Sequence, residues 1–271
     1  MKHVKKFETN SAYEASLNTL ALPNVSLVSE EYEVYYKPYI PQINHDYVEI
    51  AGIKWATMNL GAQSITDIGL YYSWGDTQGY SIEQIGLGDS KHLFIEENSK
   101  YFKEDVGWAE YNKYNAEDEK INLEQIDDAV YAAWGGNWRM PTQDEFSLLL
   151  EATIVNWETN YQGSNIDGIL LTSKEDSSKQ LFFPNSGYFC TYTDEESING
   201  YRNIENTNDD PATTNTHQYV EVWSSNVGDD CGNQDAHVLE FTYFINDDDI
   251  STGIGTNLRQ AGVVIRGILD E

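Results

Sequence analysis

Basic residues are scarce in this chain. Sixteen lysines and arginines stand against 45 aspartates and glutamates, a formal charge of −29 over 271 residues. That excess repels nucleic-acid phosphates and anionic membrane surfaces, which argues against both as partners and favours solubility. Long apolar runs are also missing: none approaches the roughly 20 residues that a membrane helix requires. The basic start, Met1 to Phe7, is followed by polar residues from Glu8 to Ser11 instead of an apolar h-region, so no secretory signal is expected. Cysteine is nearly absent. Cys190 and Cys231 allow one disulfide at most, too few for a disulfide scaffold, and a reducing cytoplasm is the simpler setting for synthesis.

Catalytic and metal-binding signatures are lacking as well. His3, His45, His92, His217 and His237 show no HxxxH-type spacing, and there is no P-loop, dinucleotide fingerprint or nucleophile elbow. The acidic clusters Asp209-Asp210, Asp229-Asp230 and Asp247-Asp248-Asp249 read as solvated loops, because adjacent residues of an extended chain point in alternate directions. A non-enzyme with no cofactor and no metal is therefore expected.

What is present is a core-forming complement: 40% hydrophobic residues and 13% aromatics, enough to exclude wholesale disorder. The densest signal is Trp134-Gly135-Gly136-Asn137-Trp138-Arg139-Met140-Pro141-Thr142. Two adjacent glycines permit a tight bend and two indoles can cover it. Thr142 and Glu145 form a T-x-x-E capping box, so a helix is expected from Gln143 to Ala152 with Phe146, Leu149 and Leu150 inward. A helix over 123–134 is expected before it, with Ile126, Val130 and Ala133 inward.

Residues 1–43 read as a separate unit: a short helix carrying Tyr13 and Leu17, two strands at 25–28 and 33–36, and a proline-punctuated linker through Pro38 and Pro41. A helix and one hairpin bury little surface alone, so docking onto another protein is expected, or packing on the main domain as a lid. From Tyr47 a second unit begins, with strands at 47–50 and 53–57, an aromatic strand or turn at 70–76, and a polar, tyrosine-rich surface loop over 77–120 held by Trp108, Tyr111 and Tyr114. After the helices come strands at 169–173, 180–184, 219–225, 236–243 and 261–269. Strands, two helices and more strands make an α+β domain.

These residues resemble a known family. Ile53-Lys54-Trp55-Ala56-Thr57-Met58-Asn59-Leu60-Gly61-Ala62, Tyr71-Tyr72-Ser73-Trp74-Gly75-Asp76, the Trp134–Leu149 corner, Val222-Trp223-Ser224-Ser225, Ala236 to Phe241 and Gly262 to Arg266 are similar, in order and spacing, to a domain family common in Bacteroidetes and their phages. The ending departs: Arg266-Gly267-Ile268 stands where those domains read RPV. The resemblance covers about residues 47–269. It implies a C-type lectin-like fold, two helices with twisted antiparallel sheets, in the branch shared with formylglycine-generating-enzyme-like domains and phage variable receptor-binding proteins. The N-terminal unit is similar to the amino-terminal module of Bacteroides-phage virion proteins, including head-fibre proteins of crAss-like phages.

The resemblance implies a protein of the outer surface of the virion, made in the host cytoplasm. Residues 1–43 would attach it to capsid or other virion proteins through Phe7, Tyr13, Leu17, Val25, Tyr35 and Tyr36. Residues 47–271 would display a lectin-like domain that binds a host-surface glycan or protein, in a homo-oligomer such as a trimer. The binding surface is expected on loops 226–235 and 243–260, at Asn226, Asp229, Asp230, Asn233, Tyr243, Phe244, Asn246, Asp248 and Asn257. Calcium-dependent sugar binding is disfavoured, because the EPN or QPD loop and the WND strand that supply the cation's oxygen ligands are absent. An enzyme of the formylglycine-generating type is disfavoured too, since its GNVWEW and RGGSW signatures are missing. The remaining alternative is a structural decoration protein that binds no receptor.

Overall fold

The chain divides into two units, Met1–Tyr39 and Ile40–Glu271. A computed structural model describes residues 43–85, 93–105, 109–190, 201–202, 217–228 and 234–271. The expected attachment module, with Phe7, Tyr13, Leu17, Val25, Tyr35 and Tyr36, lies outside the described residues, as do Trp108 and Cys231.

The described part is sheet-rich with few helices. A four-stranded sheet runs in the order β1 (Tyr47–Ile50), β2 (Ile53–Asn59), β16 (Arg266–Leu269), β6 (Trp138–Arg139). A five-stranded sheet runs β14 (Asp249–Leu258), β13 (Asp235–Phe244), β12 (His217–Val227), β15 (Val263–Val264), β3 (Tyr71–Tyr72). A third sheet is β7 (Thr153–Glu158), β8 (Gly168–Ser173), β9 (Gln180–Pro184), and two-stranded ribbons join β4 (Phe102–Asp105) to β5 (Ala109–Tyr111) and β10 (Phe189–Cys190) to β11 (Tyr201–Arg202). The helices are a single turn α1 (Ile82–Ile85), then α2 (Ala129–Trp134) and α3 (Gln143–Ala152). Among the described strands, pairing is antiparallel except between β12 and β15, and Gly187 makes a further isolated parallel bridge to Val220.

The alternation of β12 and β13 explains how the core is arranged. Successive side chains point to opposite faces. One face gives Val220, Val222, Leu239 and Phe241 to a cluster with Phe146 and Leu149 of α3. The other gives Trp223, Ala236 and Val238 to a second cluster with Trp74, Trp134 and Trp138. Trp223 is the crossing point of the frame: its Nε1 donates to Tyr72 O at 2.8 Å, while Trp74 Nε1 donates to Ser224 O at 2.9 Å.

The tryptophan corner forms as its residues predict. Gly135 and Gly136 sit at φ 64° and 60°, in the left-handed region, and Trp134 meets Trp138 edge-on with centroids 5.1 Å apart. Thr142 and Glu145 make the full capping box, and Arg139 grips Glu145 with two bonds of 2.8 and 2.6 Å.

Four expectations are corrected. The helix expected over 123–134 starts only at Ala129, because Asp128 caps it through Tyr131 N while Leu123 N donates to Ser225 O and Asp127 is drawn into a charged cluster. Ile126 is consequently 49% exposed, Ala133 also faces solvent, and Ala129, Val130 and Trp134 point inward. The stretch 77–120 is not wholly loop: it holds α1, β4 and β5, and Tyr111 and Tyr114 are buried within it. The expected strand at 261–269 breaks at Ile265, so that β15 joins one sheet and β16 another. Most consequentially, the expected binding loop 243–260 is largely β14, paired with β13 over its whole length without a bulge.

Candidate functional site

The β13–β14 hairpin ends in the exposed turn Ile245-Asn246-Asp247-Asp248. Beyond Leu239 and Phe241 on the same face of β13, Tyr243 lies flat against Trp157 of β7, with ring centroids 4.6 Å apart and planes 6° from parallel. Both rings are half-buried, so the pair forms a ledge. Tyr243 Oη donates to Asp248 Oδ1 at 2.9 Å, which ties the ring to the turn. Asp248 reaches it from a left-handed backbone at φ 51°, tolerated by aspartate more readily than by most residues. On the opposite face of the hairpin Phe244 packs edge-on against His217 at 4.8 Å.

Carboxylates surround the ledge. Asp248 and Asp167 both act on the Tyr243 hydroxyl, and with partial desolvation first among the causes they hold its pKa above the ordinary value. Asp167 in turn accepts from Asn160 N at 2.8 Å, fixing the β7–β8 turn beside it. An aromatic face beside fixed acceptors can cover the apolar face of a small polar ligand and accept from its hydroxyls. Carboxylates in this position can accept from hydroxyl donors or attract cations, and they repel anions.

The other expected binding residues fall elsewhere. Asn226 is 8% exposed and is an internal bridge: its Oδ1 accepts from Gln143 N at 2.8 Å and its Nδ2 donates to Asn122 Oδ1 at 2.7 Å. Asn257 is spent on Glu221, donating to Oε2 at 2.7 Å. Asn246 is exposed in the turn with Asp248. Asp229, Asp230 and Asn233 lie outside the described residues. The structure thus brings Tyr243, Asp248 and Asn246 to one tip and separates Asn226 and Asn257 from it.

Trp157, Asp167 and Asn160 were not anticipated. The available signal for Trp157 was its position: unlike Trp55, Trp74, Trp134, Trp138 and Trp223, it belongs to none of the frame motifs.

A charged cluster and a buried arginine serve the frame. Asp127 receives Lys100 at 2.7 Å, Lys113, Tyr101 at 2.7 Å and Tyr114. Burial opposes its ionisation, but those hydrogen bonds prevail and hold its carboxyl at about 2. Arg266 is fully buried and donates to Asn59 Oδ1, Ala56 O and Phe182 O at 2.9, 3.0 and 2.9 Å. Among the described residues no three His, Cys, Asp or Glu converge to hold a metal ion. Comparison of the chain with protein-family models, with curated proteins and with solved structures finds no match.

Proposed function

We propose that this chain is a non-enzymatic surface protein of a phage particle, in which residues 47–271 form a C-type lectin-like domain that binds a host-surface glycan. The observation that carries the binding reading is the Tyr243–Trp157 ledge, with Asp248 and Asp167 at its edge. A sugar ring presents an apolar face that an aromatic ledge can cover, and hydroxyls that carboxylates accept. The sheet-rich frame, the capped tryptophan corner and the central placement of Trp223 agree with the lectin-like reading of the sequence motifs. The virion location rests on the resemblance of residues 1–43 to phage attachment modules.

The test is adsorption of the purified full chain to host cells and to an array of host-surface glycans. Tyr243→Ala and Trp157→Ala should each weaken binding at least tenfold, about 1.4 kcal/mol or more, as expected for an aromatic anchor. Tyr243→Ala should fold as the parent does. Binding that survives both substitutions would refute this ledge as the site, and a chain that sits on particles yet adsorbs to nothing would leave the decoration alternative standing.

A further inference from the structure

We propose that β14 is a self-complementary edge, and that two copies of this chain join there as a two-fold antiparallel pair. Among the described residues β14 ends its sheet, with β13 on one side and no strand on the other. Exposed edge strands are normally blunted by lysine, proline, a bulge or shortness. Here a ten-residue strand has none of these, and its ladder to β13 is uninterrupted.

The hydrogen-bond parity shows which groups face out. Gly228 N donates to Asp235 O at 2.8 Å, so Asp235 directs its backbone toward β12. Arg259 N donates to Gln234 O at 2.9 Å, so the bonded β13–β14 pair lies one position beyond Asp235↔Leu258. Bonded and non-bonded pairs alternate in an antiparallel ladder. The backbone N–H and C=O of Ile250, Thr252, Ile254 and Thr256 therefore point away from β13. Leu258 follows the same parity, but its N–H donates to Asn257 Oδ1 at 2.8 Å and its C=O accepts from Ala261 N at 2.8 Å, which ends the open edge.

The residues at these positions read nearly the same in both directions: Ile250, Thr252, Ile254, Thr256, Leu258. An antiparallel second copy centred on Ile254 sets Ile254 against Ile254, Thr252 against Thr256 and Ile250 against Leu258. Each is a favourable cross-strand pair, and the Ile254 pair and the two Thr252–Thr256 pairs join residues whose backbone groups face outward, whereas those of Leu258 are already bonded within its own copy. The register that matches side chains is thus the one that matches hydrogen bonds. The charge pattern favours a second copy over a foreign segment. A chain at −29 repels itself nearly everywhere, yet residues 250–258 carry no ionisable group although 23% of the chain is charged. Such a two-fold contact is closed and isologous, so it gives dimers, not an open array.

The full chain is tested by sedimentation equilibrium and by amide hydrogen exchange at several concentrations. The expected result is a reversible dimer in which the amides of Thr252, Ile254 and Thr256 become protected as concentration rises. T252K/T256K places lysines opposite lysines at exposed positions and should raise the dissociation constant at least tenfold. T252D/T256D should do the same, and mixing the two variants should restore a heterodimer, which a misfolded variant could not form. The proposal is overturned if the parent chain stays monomeric at high concentration, or if its dimer survives T252K/T256K. Concentration-independent protection of the three amides, meaning that a segment of the same copy covers the edge, overturns it as well. None of these outcomes depends on Tyr243 or Trp157, so this proposal and the glycan reading fail separately.

Discussion

Glu221 is a carboxylate held inside the sheet frame. It lies directly across from Glu240 in the β12–β13 ladder, and it is 6% exposed. Burial pushes its carboxyl up to about 7; the hydrogen bond from Asn257 works against that shift and the Glu240 charge adds to it. Its ordinary value is 4.5, so the folded state binds the proton more tightly than the unfolded chain. The stability this contributes is full below about pH 4.5 and is lost as pH rises through about 7. Glu221→Gln keeps an acceptor for Asn257 and cannot ionise. It should leave stability unchanged near pH 4 and raise it by about 2–3 kcal/mol at pH 8, measured by urea unfolding at both pH values. An equal effect at both would refute the ionisation account.

The elements were legible to different degrees, and the close approach of β16 to α2 shows why. An added Cβ at Gly267 would meet Trp134 Cζ3 at 2.5 Å and Val130 Cγ1 at 2.8 Å, so the missing side chain lets the last strand press onto the tryptophan corner. Gly267→Ala should therefore destabilise the chain by about 1–3 kcal/mol, seen as an earlier chemical-denaturation midpoint with an unchanged slope. A midpoint that does not move would mean the corner gives way freely. Nothing in the local sequence marks that contact. Elements set by neighbouring residues were readable: the Thr142–Glu145 box starts α3 at Gln143, and β1 and the short apolar run of β9 fall at the expected residues. Elements set by distant partners were not. The composition Asp-Ile-Ser-Thr-Gly-Ile-Gly-Thr-Asn-Leu suggests a loop, yet pairing with β13 makes it a strand. Residues 123–127 carry helical periodicity, yet Ser225 and Lys113 hold them in another conformation. Tyr243 is placed at the expected surface by the loop it opens, whereas its stacking partner lies on a strand 86 positions earlier, a pairing that spacing does not reveal.

For the whole molecule the governing quantity is charge. Seven ion pairs connect described residues, and the exposed ones, such as Lys103–Glu110, contribute little. Forty-five acidic groups cannot be matched by sixteen basic ones, so repulsion between carboxylates outweighs attraction. Self-repulsion of this kind disfavours the compact state. Salt shortens its reach, from about 30 Å at 0.01 M to about 8 Å at 0.15 M, while buried pairs such as Asp127–Lys100 are screened far less. The melting temperature at pH 7 should therefore rise by several degrees over that salt range, since about 1 kcal/mol corresponds to about 2–4 °C in a domain of this size. The proposed β14 dimer should tighten over the same range, because its uncharged strip loses nothing to screening while the two like-charged bodies repel less. Scanning calorimetry and sedimentation at the two ionic strengths measure the two effects independently. A melting temperature that falls with salt would show that attractive surface pairs outweigh the acidic excess, and a dimer that loosens with salt would place charged contacts at its interface.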